Sequence, residues 1–341
     1  MVDLRRMKSI LGLAAGVVAT LASGHLATLL AAQTATAPAG FHWVDTPGKQ
    51  TELQFGDRPV LRYMYETYDG STPERHNQTY KPYHHVFSPD GTRLLTKGDT
   101  GGLYPHHRGL FYGFRKITYG DGKECDVWHC LEKAHQSHER VLSQHASAES
   151  ANQVVAIDWH GSQGEVFAHE ERAVAVVRKP DGLQIDFSSH LETADDRPIH
   201  LDGDPQHAGF HFRAAQEVAD KTIGQTYYLR TDGKGELGET RNWEEGGNEA
   251  MNAECINRPW DALSLVIGGE RYTVLYIDHP DNPKLARYSE RDYGRFGSYF
   301  VTDVKPDQPL DVRYRIWVQE GEMTVDQCNA KADQFIESGI R

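Results

Sequence analysis

The stretch AVAVVRKPDGLQIDFS, from Ala173 to Ser188, indicates two strands joined by a tight turn. Apolar and β-branched residues recur at alternate positions on both sides of Pro180-Asp181-Gly182, and a strand directs alternate side chains to opposite faces. We expect Gly182 to adopt the positive φ that this turn requires. The stretch therefore predicts a β-hairpin.

Similar short strand patterns recur through the chain, separated by turn signals such as Pro89-Asp90-Gly91. The clearest of them are residues 154–159, 262–267, 272–277 and 312–318. Only the C-terminus has a helical pattern, where Thr324 and Gln327 match a capping box. The predicted class is all-β with a short C-terminal helix.

Residues 1–32 have the pattern of a signal peptide or an N-terminal membrane anchor, because basic residues precede a long apolar stretch. Residues 33–42 are rich in Ala, Thr and Pro and predict a linker. Residues 43–341 are then a single domain. Either form of the first segment places that domain outside the cytoplasm, in the periplasm or the extracellular space.

The chain is acidic, with a formal net charge of -13 at pH 7. This charge argues against nucleic acid as a partner, and against a membrane beyond the N-terminal anchor, because both surfaces are anionic. The sequence has no glycine-rich phosphate loop, so no nucleotide cofactor is expected. The four cysteines allow either a disulfide or buried free thiols.

Three segments concentrate polar residues, and the first is YPHHRGLF, from Tyr104 to Phe111. Neighbouring residues of an extended segment face opposite ways, so only one of His106 and His107 is expected to enter a given site. Arg108 has the same parity as His106. The segment either contributes to a site or carries surface histidines ahead of a core strand.

The second polar segment is DPQHAGFHFRA, residues 204–214. One face is apolar, and the other carries His207, Gly209, His211 and Arg213. This row suits the floor of a cleft, with the glycine leaving room for a ligand, although a solvated face has the same pattern. In a regular strand His207 and His211 lie ~13 Å apart, so one metal ion cannot bind both without a bulge.

The third polar segment is IDHPDNP, residues 277–283, which is followed by Arg291 and Tyr293. Its two prolines prevent a continuous central strand and indicate a shaped loop. Aromatic rings mixed with Arg and Asp suit carbohydrate recognition, since a ring stacks on a sugar face and charged groups bond its hydroxyls. A structural loop held by an Asp–Arg pair is the alternative. The run from Asp126 to His129 is a weaker signal.

Together these segments resemble a known family, the one labelled methane oxygenase PmoA or PmoA-like. The matching features include Pro105-His106-His107-Arg108-Gly109, Asp126 with Trp128, and Asp278-His279-Pro280, and they span nearly all of the chain after residue 32. The resemblance implies a large twisted antiparallel β-sandwich, of the jelly-roll or supersandwich kind, over residues 43–341. It also implies a setting among exported carbohydrate-active proteins.

The leading hypothesis is an exported carbohydrate-processing enzyme, a metal-assisted lyase or hydrolase that acts on glycosides, 3-keto-glycosides among them. A carbonyl acidifies the neighbouring C–H bond, a divalent ion stabilises the enediolate, and a histidine removes the proton. The alternatives are a non-catalytic carbohydrate-binding protein and a structural or accessory exported protein.

The hypothesis gives each candidate residue a role. The candidates for catalysis are His107, His211, Arg108 and Arg213, with the two arginines as electrostatic clamps. A divalent metal ion, whose identity the sequence leaves open, is expected on His107, His211 and His279. The candidates for substrate binding are Tyr104, Trp128, His207, Arg291 and Tyr293.

Overall fold

The structure is a computed structural model that describes residues 40–338. The expected export segment, residues 1–32, lies outside the described residues, as does most of the expected linker. The end of that linker belongs to the first strand, which begins at Phe41. Within the described range, no helix is long and apolar enough to cross a membrane.

Twenty-one β-strands and two α-helices form between residues 40 and 338. The first strands are β1 (Phe41–Thr46), β2 (Gln50–Phe55), β3 (Arg58–Met64), β4 (Tyr83–Val86), β5 (Leu110–Phe114), β6 (Lys116–Tyr119) and β7 (Lys123–Cys125). The next are β8 (His135–Ala146), β9 (Ser150–His160), β10 (Val166–Lys179), β11 (Gly182–Thr193), β12 (Ile199–Asp202), β13 (Ala208–Arg213) and β14 (Tyr227–Arg230). The last are β15 (Gly233–Lys234), β16 (Trp260–Ile267), β17 (Glu270–Asp278), β18 (Arg287–Arg291), β19 (Arg295–Tyr299), β20 (Thr302–Val304) and β21 (Leu310–Glu320). The helices are α1 (Pro73–Thr79) and α2 (Val325–Glu337), and short helical turns occupy Val218–Thr222, Ile223–Gln225 and Ala253–Cys255.

The strands pair antiparallel in three sheets. The eight-stranded sheet has the order β1-β2-β3-β4-β5-β13-β19-β18, and the nine-stranded sheet has the order β15-β14-β16-β17-β21-β11-β10-β9-β8. A smaller sheet has the order β20-β12-β6-β7. Each predicted strand segment lies inside one of these strands. The prediction of an all-β antiparallel fold is confirmed.

The main core lies between the eight-stranded and nine-stranded sheets. Phe210 of β13 stacks on Phe187 of β11, with ring centroids 4.2 Å apart, and on Tyr314 of β21 at 4.9 Å. Both sheets contribute alternate apolar side chains to this layer, which is the arrangement of a β-sandwich. The sandwich predicted from the sequence is confirmed, and the intervening residues of β13 face the opposite side of their sheet.

The predicted hairpin forms between β10 and β11, and the last pair before the turn is Lys179 with Gly182. Gly182 does not have the expected positive φ. A Cβ atom at this position would lie 2.5 Å from the carbonyl oxygen of Val318 in β21. Close approach of a neighbouring strand, rather than the turn itself, therefore requires this glycine.

The C-terminal helix α2 begins with the predicted capping box. The Thr324 hydroxyl accepts from the backbone N–H of Gln327 at 3.2 Å, and the Gln327 side chain accepts from the backbone N–H of Thr324 at 2.8 Å. The helix buries Cys328 and Phe335 against Trp260 and Trp317 of the nine-stranded sheet. Helix α2 thus covers the outer face of that sheet, and all four cysteines are free and buried.

Candidate functional site

Loops on the outer face of the eight-stranded sheet gather polar side chains around Trp128. Trp128 is 1% exposed and packs edge-to-face on Phe111 of β5. Its ring also contacts His107 at 5.7 Å and His211 at 4.9 Å between centroids. His211 reaches this side because Phe210 and Phe212 on either side of it enter the core.

Four histidines come together beside Trp128, and we call them the four-histidine cluster: His106, His107, His129 and His207. The His106 ring lies 4.4 Å from that of His107 and 4.6 Å from that of His129. The His207 ring lies 4.5 Å from that of His129 and is stacked on His107 at 5.2 Å. One nitrogen from each of His106, His107 and His207 lies within 4.8 Å of the other two, close enough for one metal ion after small side-chain movements.

Both His106 and His107 enter the cluster because their segment is not extended. Tyr104 has a φ of 51°, and the backbone N–H of His107 donates to the carbonyl of Tyr104 at 3.1 Å. The prediction that only one of these histidines can enter a given site is therefore wrong. A turn replaces the strand parity on which that prediction depended.

Two carboxylates orient two of the rings. Asp204 accepts from Nδ1 of His207 at 2.8 Å, and Asp126 accepts from Nδ1 of His129 at 2.8 Å. Each pair leaves Nε2 as the nitrogen with a lone pair available to a metal, which is how carboxylates commonly support metal-binding histidines. Asp204 also accepts from Arg115 at 2.5 Å. Burial alone would raise the pKa of Asp204, but these hydrogen bonds from His207 and Arg115 lower it below the ordinary value.

The buried histidines are held neutral. Burial, with smaller contributions from Lys81 and the neighbouring histidines, lowers the pKa of His106 to about 2. Burial and then Arg295 lower the pKa of His107 and of His211 well below the ordinary value. A neutral imidazole has a lone pair to donate, and Nε2 of His106 and Nδ1 of His107 are buried without a hydrogen-bond partner. Such a set of nitrogen donors fits a borderline divalent ion such as Zn²⁺.

The three expected metal ligands do not lie together. His107 belongs to the four-histidine cluster, whereas His211 is not part of it and packs against Trp128. His279 follows the end of β17 in the nine-stranded sheet, and its ring packs against Phe335 of α2 at 5.2 Å. The structure therefore separates His279 from the other two, because the two sheets carry their outer loops on opposite sides of the sandwich.

The two arginines expected as clamps have different surroundings. The guanidinium of Arg108 donates to the carbonyls of Asn77, Gln78 and Pro105, so it fastens its own loop to the α1 segment. Arg213 lies on β13, and Nη1 donates to the carbonyl of Tyr293 at 2.8 Å. Of the two, only Arg213 has an Nε that is buried without a hydrogen-bond partner.

The expected substrate-binding residues also divide into two groups. Tyr104 is 45% exposed, and its ring lies 6.0 Å from that of His106 and 5.3 Å from that of Tyr293. Trp128 and His207 belong to the site as described above. Arg291 instead donates to the Asn242 side chain and to the carbonyl of Glu290, and these contacts do not include the cluster.

Sequence reasoning treated the run from Asp126 to His129 as only a weaker signal, expected just one of His106 and His107 in the site, and missed Lys81. His129 and Asp126 form the same Asp-x-x-His pattern as Asp204 and His207, and this repeated pattern could have identified both pairs. Lys81 carried no such signal. Its ammonium donates to the carbonyls of His106 at 2.8 Å and Trp128 at 2.5 Å, which ties the two histidine loops together.

Gly209 does not have the role predicted for it. Its φ is +86°, and a Cβ atom would lie 2.0 Å from the carbonyl oxygen of Ser298 in β19. The space beside it is therefore filled by the neighbouring strand and not by a ligand.

A cavity of about 640 Å³ opens next to the supporting carboxylates. Its lining includes Asp126, Arg115 and Glu132. A volume of this size is typical of small-molecule sites.

Comparison with known families identifies the chain. Residues 50–333 match the model of a family described as "Family of unknown function (DUF6807)". The chain belongs to DUF6807. The resemblance to a PmoA-like family is therefore wrong, since the matching model is that of DUF6807 and nothing points to the other family. Among curated proteins, none matches this DUF6807 chain significantly.

Solved structures with a similar fold are much longer. One is the GH36 alpha-galactosidase AgaB from Geobacillus stearothermophilus, with 9% identity and a TM-score of 0.41 over 83% of this chain and 41% of that one. Another is a glycoside hydrolase family 97 enzyme from Pseudoalteromonas sp. strain K8, with 9% identity and a TM-score of 0.40 over 82% of this chain and 36% of that one. The DUF6807 chain thus spans about two fifths of their length. At this similarity the likeness concerns the arrangement of strands and not the reaction.

Proposed function

We propose that this DUF6807 protein is an exported metal-dependent enzyme that processes carbohydrates, as a lyase or hydrolase acting on glycosides. The observation that carries the proposal is the four-histidine cluster, in which three ring nitrogens converge within 4.8 Å. Two rings are oriented by Asp126 and Asp204. Neutral, converging and carboxylate-supported imidazoles are the components of a metal centre rather than of a structural core.

The ligands assigned to the metal are His106, His107 and His207, with His129 adjacent as a fourth. A divalent ion held there would polarise a carbonyl or hydroxyl oxygen of a bound sugar. The remaining imidazole, His211, packs against Trp128, and its Nε2 is buried without a partner. His211 is thus the residue of this face that is left to exchange a proton or a hydrogen bond with substrate.

Two further features favour a carbohydrate. The exposed ring of Tyr104 stands beside His106 and provides a surface on which a sugar face can stack. The adjoining cavity of about 640 Å³ has room for a saccharide and is lined by charged side chains that bond hydroxyl groups. Export is supported by the basic and apolar pattern of residues 1–32.

Metal content tests the proposal directly. Elemental analysis of purified protein is expected to find about one divalent ion per chain in the wild type and in His145→Ala, which alters an exposed histidine of β8. His106→Ala and His207→Ala are expected to lose the ion. A panel of glycosides and 3-keto-glycosides then tests turnover, which chelation should abolish and added metal should restore.

The outcomes separate the rival functions. Wild-type protein that takes up no divalent ion, even when the ion is supplied, would overturn the metal centre. Sugar affinity without turnover, in a protein that holds its metal, would instead indicate a carbohydrate-binding protein.

A further inference from the structure

The buried arginines of this protein divide sharply by their partners. Within residues 40–338, seven arginines are buried. Four of these form ion pairs with carboxylates, namely Arg172, Arg230, Arg258 and Arg315. The other three are Arg108, Arg213 and Arg295, and no carboxylate of the described residues lies within 4.0 Å of their nitrogens. Arg108 belongs to the segment that carries His106 and His107, Arg295 contacts His211, and Arg213 pairs with Arg295 across two strands.

Arg213 and Arg295 are directly opposite each other in the ladder between β13 and β19. Cross-strand partners place their side chains on the same face, and two like charges in this arrangement repel. The side chains are also 1% and 0% exposed, so water does not screen them. Burial lowers the pKa of Arg213 to about 10, which still leaves the guanidinium charged at neutral pH.

Unpartnered nitrogens mark where a ligand would bind. Nε of Arg213 and Nε of Arg295 are both buried without a hydrogen-bond partner. Nη1 of Arg295 lies 3.5 Å from Nδ1 of His211, whose Nε2 is also unpartnered. The indole Nε1 of Trp128, which contacts His211, is unpartnered as well. Buried polar groups in native proteins are normally satisfied, so an acceptor on a bound ligand or a water would satisfy these nitrogens.

Lys97 adds to the positive charge of the same face, whereas burial lowers the pKa of Lys81 to about 7 and leaves it only partly charged at neutral pH. Lys81 and Lys97 are each 3% exposed, and neither forms an ion pair with a described carboxylate within 4.0 Å. A divalent ion in the four-histidine cluster would increase this charge further. Asp126 and Asp204 offset part of this charge, as does Asp99 near Lys97, and the protein as a whole carries a net charge of -13. A buried excess of positive charge is costly unless an anion neutralises it.

We propose that Arg213 and Arg295 form an oxyanion subsite beside the metal centre, and that the substrate is an acidic carbohydrate whose carboxylate binds there. This inference rests on the proposed function for the sugar and its metal, and adds the class of sugar. A carboxylate has two oxygens, and the unpartnered Nε of Arg213 and that of Arg295 would each donate a hydrogen bond to one of them. In Arg213 the unpartnered donor is Nε, because Nη1 donates to Tyr293 and Ala214 and Nη2 donates to Leu103 and the Gln216 side chain.

Isothermal titration with simple sugars tests the subsite. Wild-type protein is expected to bind D-glucuronate or D-galacturonate at least tenfold more tightly than D-glucose or D-galactose. Arg213→Gln should lose this preference, while its metal content stays unchanged. Arg140→Gln makes the same change of charge at an exposed position of β8 and should keep the preference.

The comparison also works without a variant, in case Arg213→Gln does not fold. In the wild type, uronates should raise the thermal midpoint more than the neutral sugars at equal concentration, because a ligand that binds only the folded state stabilises it. Equal effects of charged and neutral sugars would overturn the subsite. A preference for glucose 6-sulfate with none for uronates would contradict the proposal that the subsite binds a carboxylate.

Failure of the metal proposal would look different. In that case no metal is found in the wild type, but the preference for uronates persists in the metal-free protein.

Discussion

Asp126 and Asp204 act on the cluster through single hydrogen bonds. Each accepts from Nδ1 of a histidine three residues later in the chain, and each also accepts from backbone N–H groups of the same turn. The short spacing lets one turn fix the carboxylate, the imidazole and the backbone together. The metal-binding nitrogen is therefore positioned before any ion arrives, which lowers the entropy lost on binding.

Removing one carboxylate charge should weaken metal binding. We expect Asp204→Asn to raise the metal dissociation constant about 10- to 100-fold, because the amide supports the His207 tautomer less strongly than the carboxylate does. A matched control is Asp311→Asn, since Asp311 accepts from Nδ1 of His190 at 2.7 Å at an exposed position of β21. Competition with a chromogenic chelator measures the metal dissociation constants of both variants. Equal metal affinity in Asp204→Asn and wild type would contradict the role of Asp204 in supporting His207.

At the scale of elements, β13 and β19 hold the site by an unusually close approach. Gly209 of β13 lies against the backbone of Ser298 and Tyr299, and Gly297 of β19 lies opposite His211. A side chain on either glycine would separate the two strands. The position of His211 and of both arginines in the oxyanion subsite thus depends on two residues that make no contact with a ligand.

Comparing Gly209→Ala with Gly122→Ala distinguishes two causes of destabilisation, namely steric overlap with the neighbouring strand and backbone strain at positive φ. Both glycines have a positive φ, +86° and +81°, so alanine costs about 1–2 kcal/mol of conformational energy at either position. A Cβ atom meets nothing within 4 Å at Gly122, but it overlaps a carbonyl at Gly209. We therefore expect Gly209→Ala to lower the free energy of unfolding in urea by several kcal/mol more than Gly122→Ala. Similar losses in the two variants would show that strain alone matters.

At the scale of the whole molecule, buried neutral histidines should make the fold sensitive to acid. Burial, followed by Arg172 and His85, lowers the pKa of His84 from 6.5 to about 3, and its ring stacks on Tyr63 at 4.9 Å. Below pH 6.5 the unfolded chain binds this proton and the folded chain does not. Stability is therefore lost as the pH falls from about 6.5 towards 3.

A single substitution should reduce that loss. One histidine of this kind accounts for about 2 kcal/mol of unfolding free energy between pH 7 and pH 5. His84→Phe keeps a stacked ring without a titrating group. Between pH 7 and pH 5, its free energy of unfolding in urea should therefore fall by about 2 kcal/mol less than that of the wild type. His145→Gln, which changes an exposed histidine, should show the same pH dependence of unfolding free energy as the wild type. An unchanged pH dependence in His84→Phe would contradict a neutral, buried His84.

A structural feature of this protein is predictable from the sequence when residues close together in the chain determine it. The alternation in residues 173–188 is local, so the hairpin and the sandwich faces of β13 were predictable. The site depends on loop conformation and on which sheet each strand joins. A positive φ at Tyr104 brings His106 and His107 together, and the placement of β17 in the other sheet removes His279. Neither feature has a signal in residue spacing.

The four free cysteines affect how the protein can be made and stored. All four thiols are buried, and burial raises the pKa of Cys130 to about 12, so the reactive thiolate is scarce. No cross-link therefore has to form for the described fold to be reached. Once folded, the chain should keep the same native state in reducing and oxidising surroundings, because its thiols are shielded from oxidants.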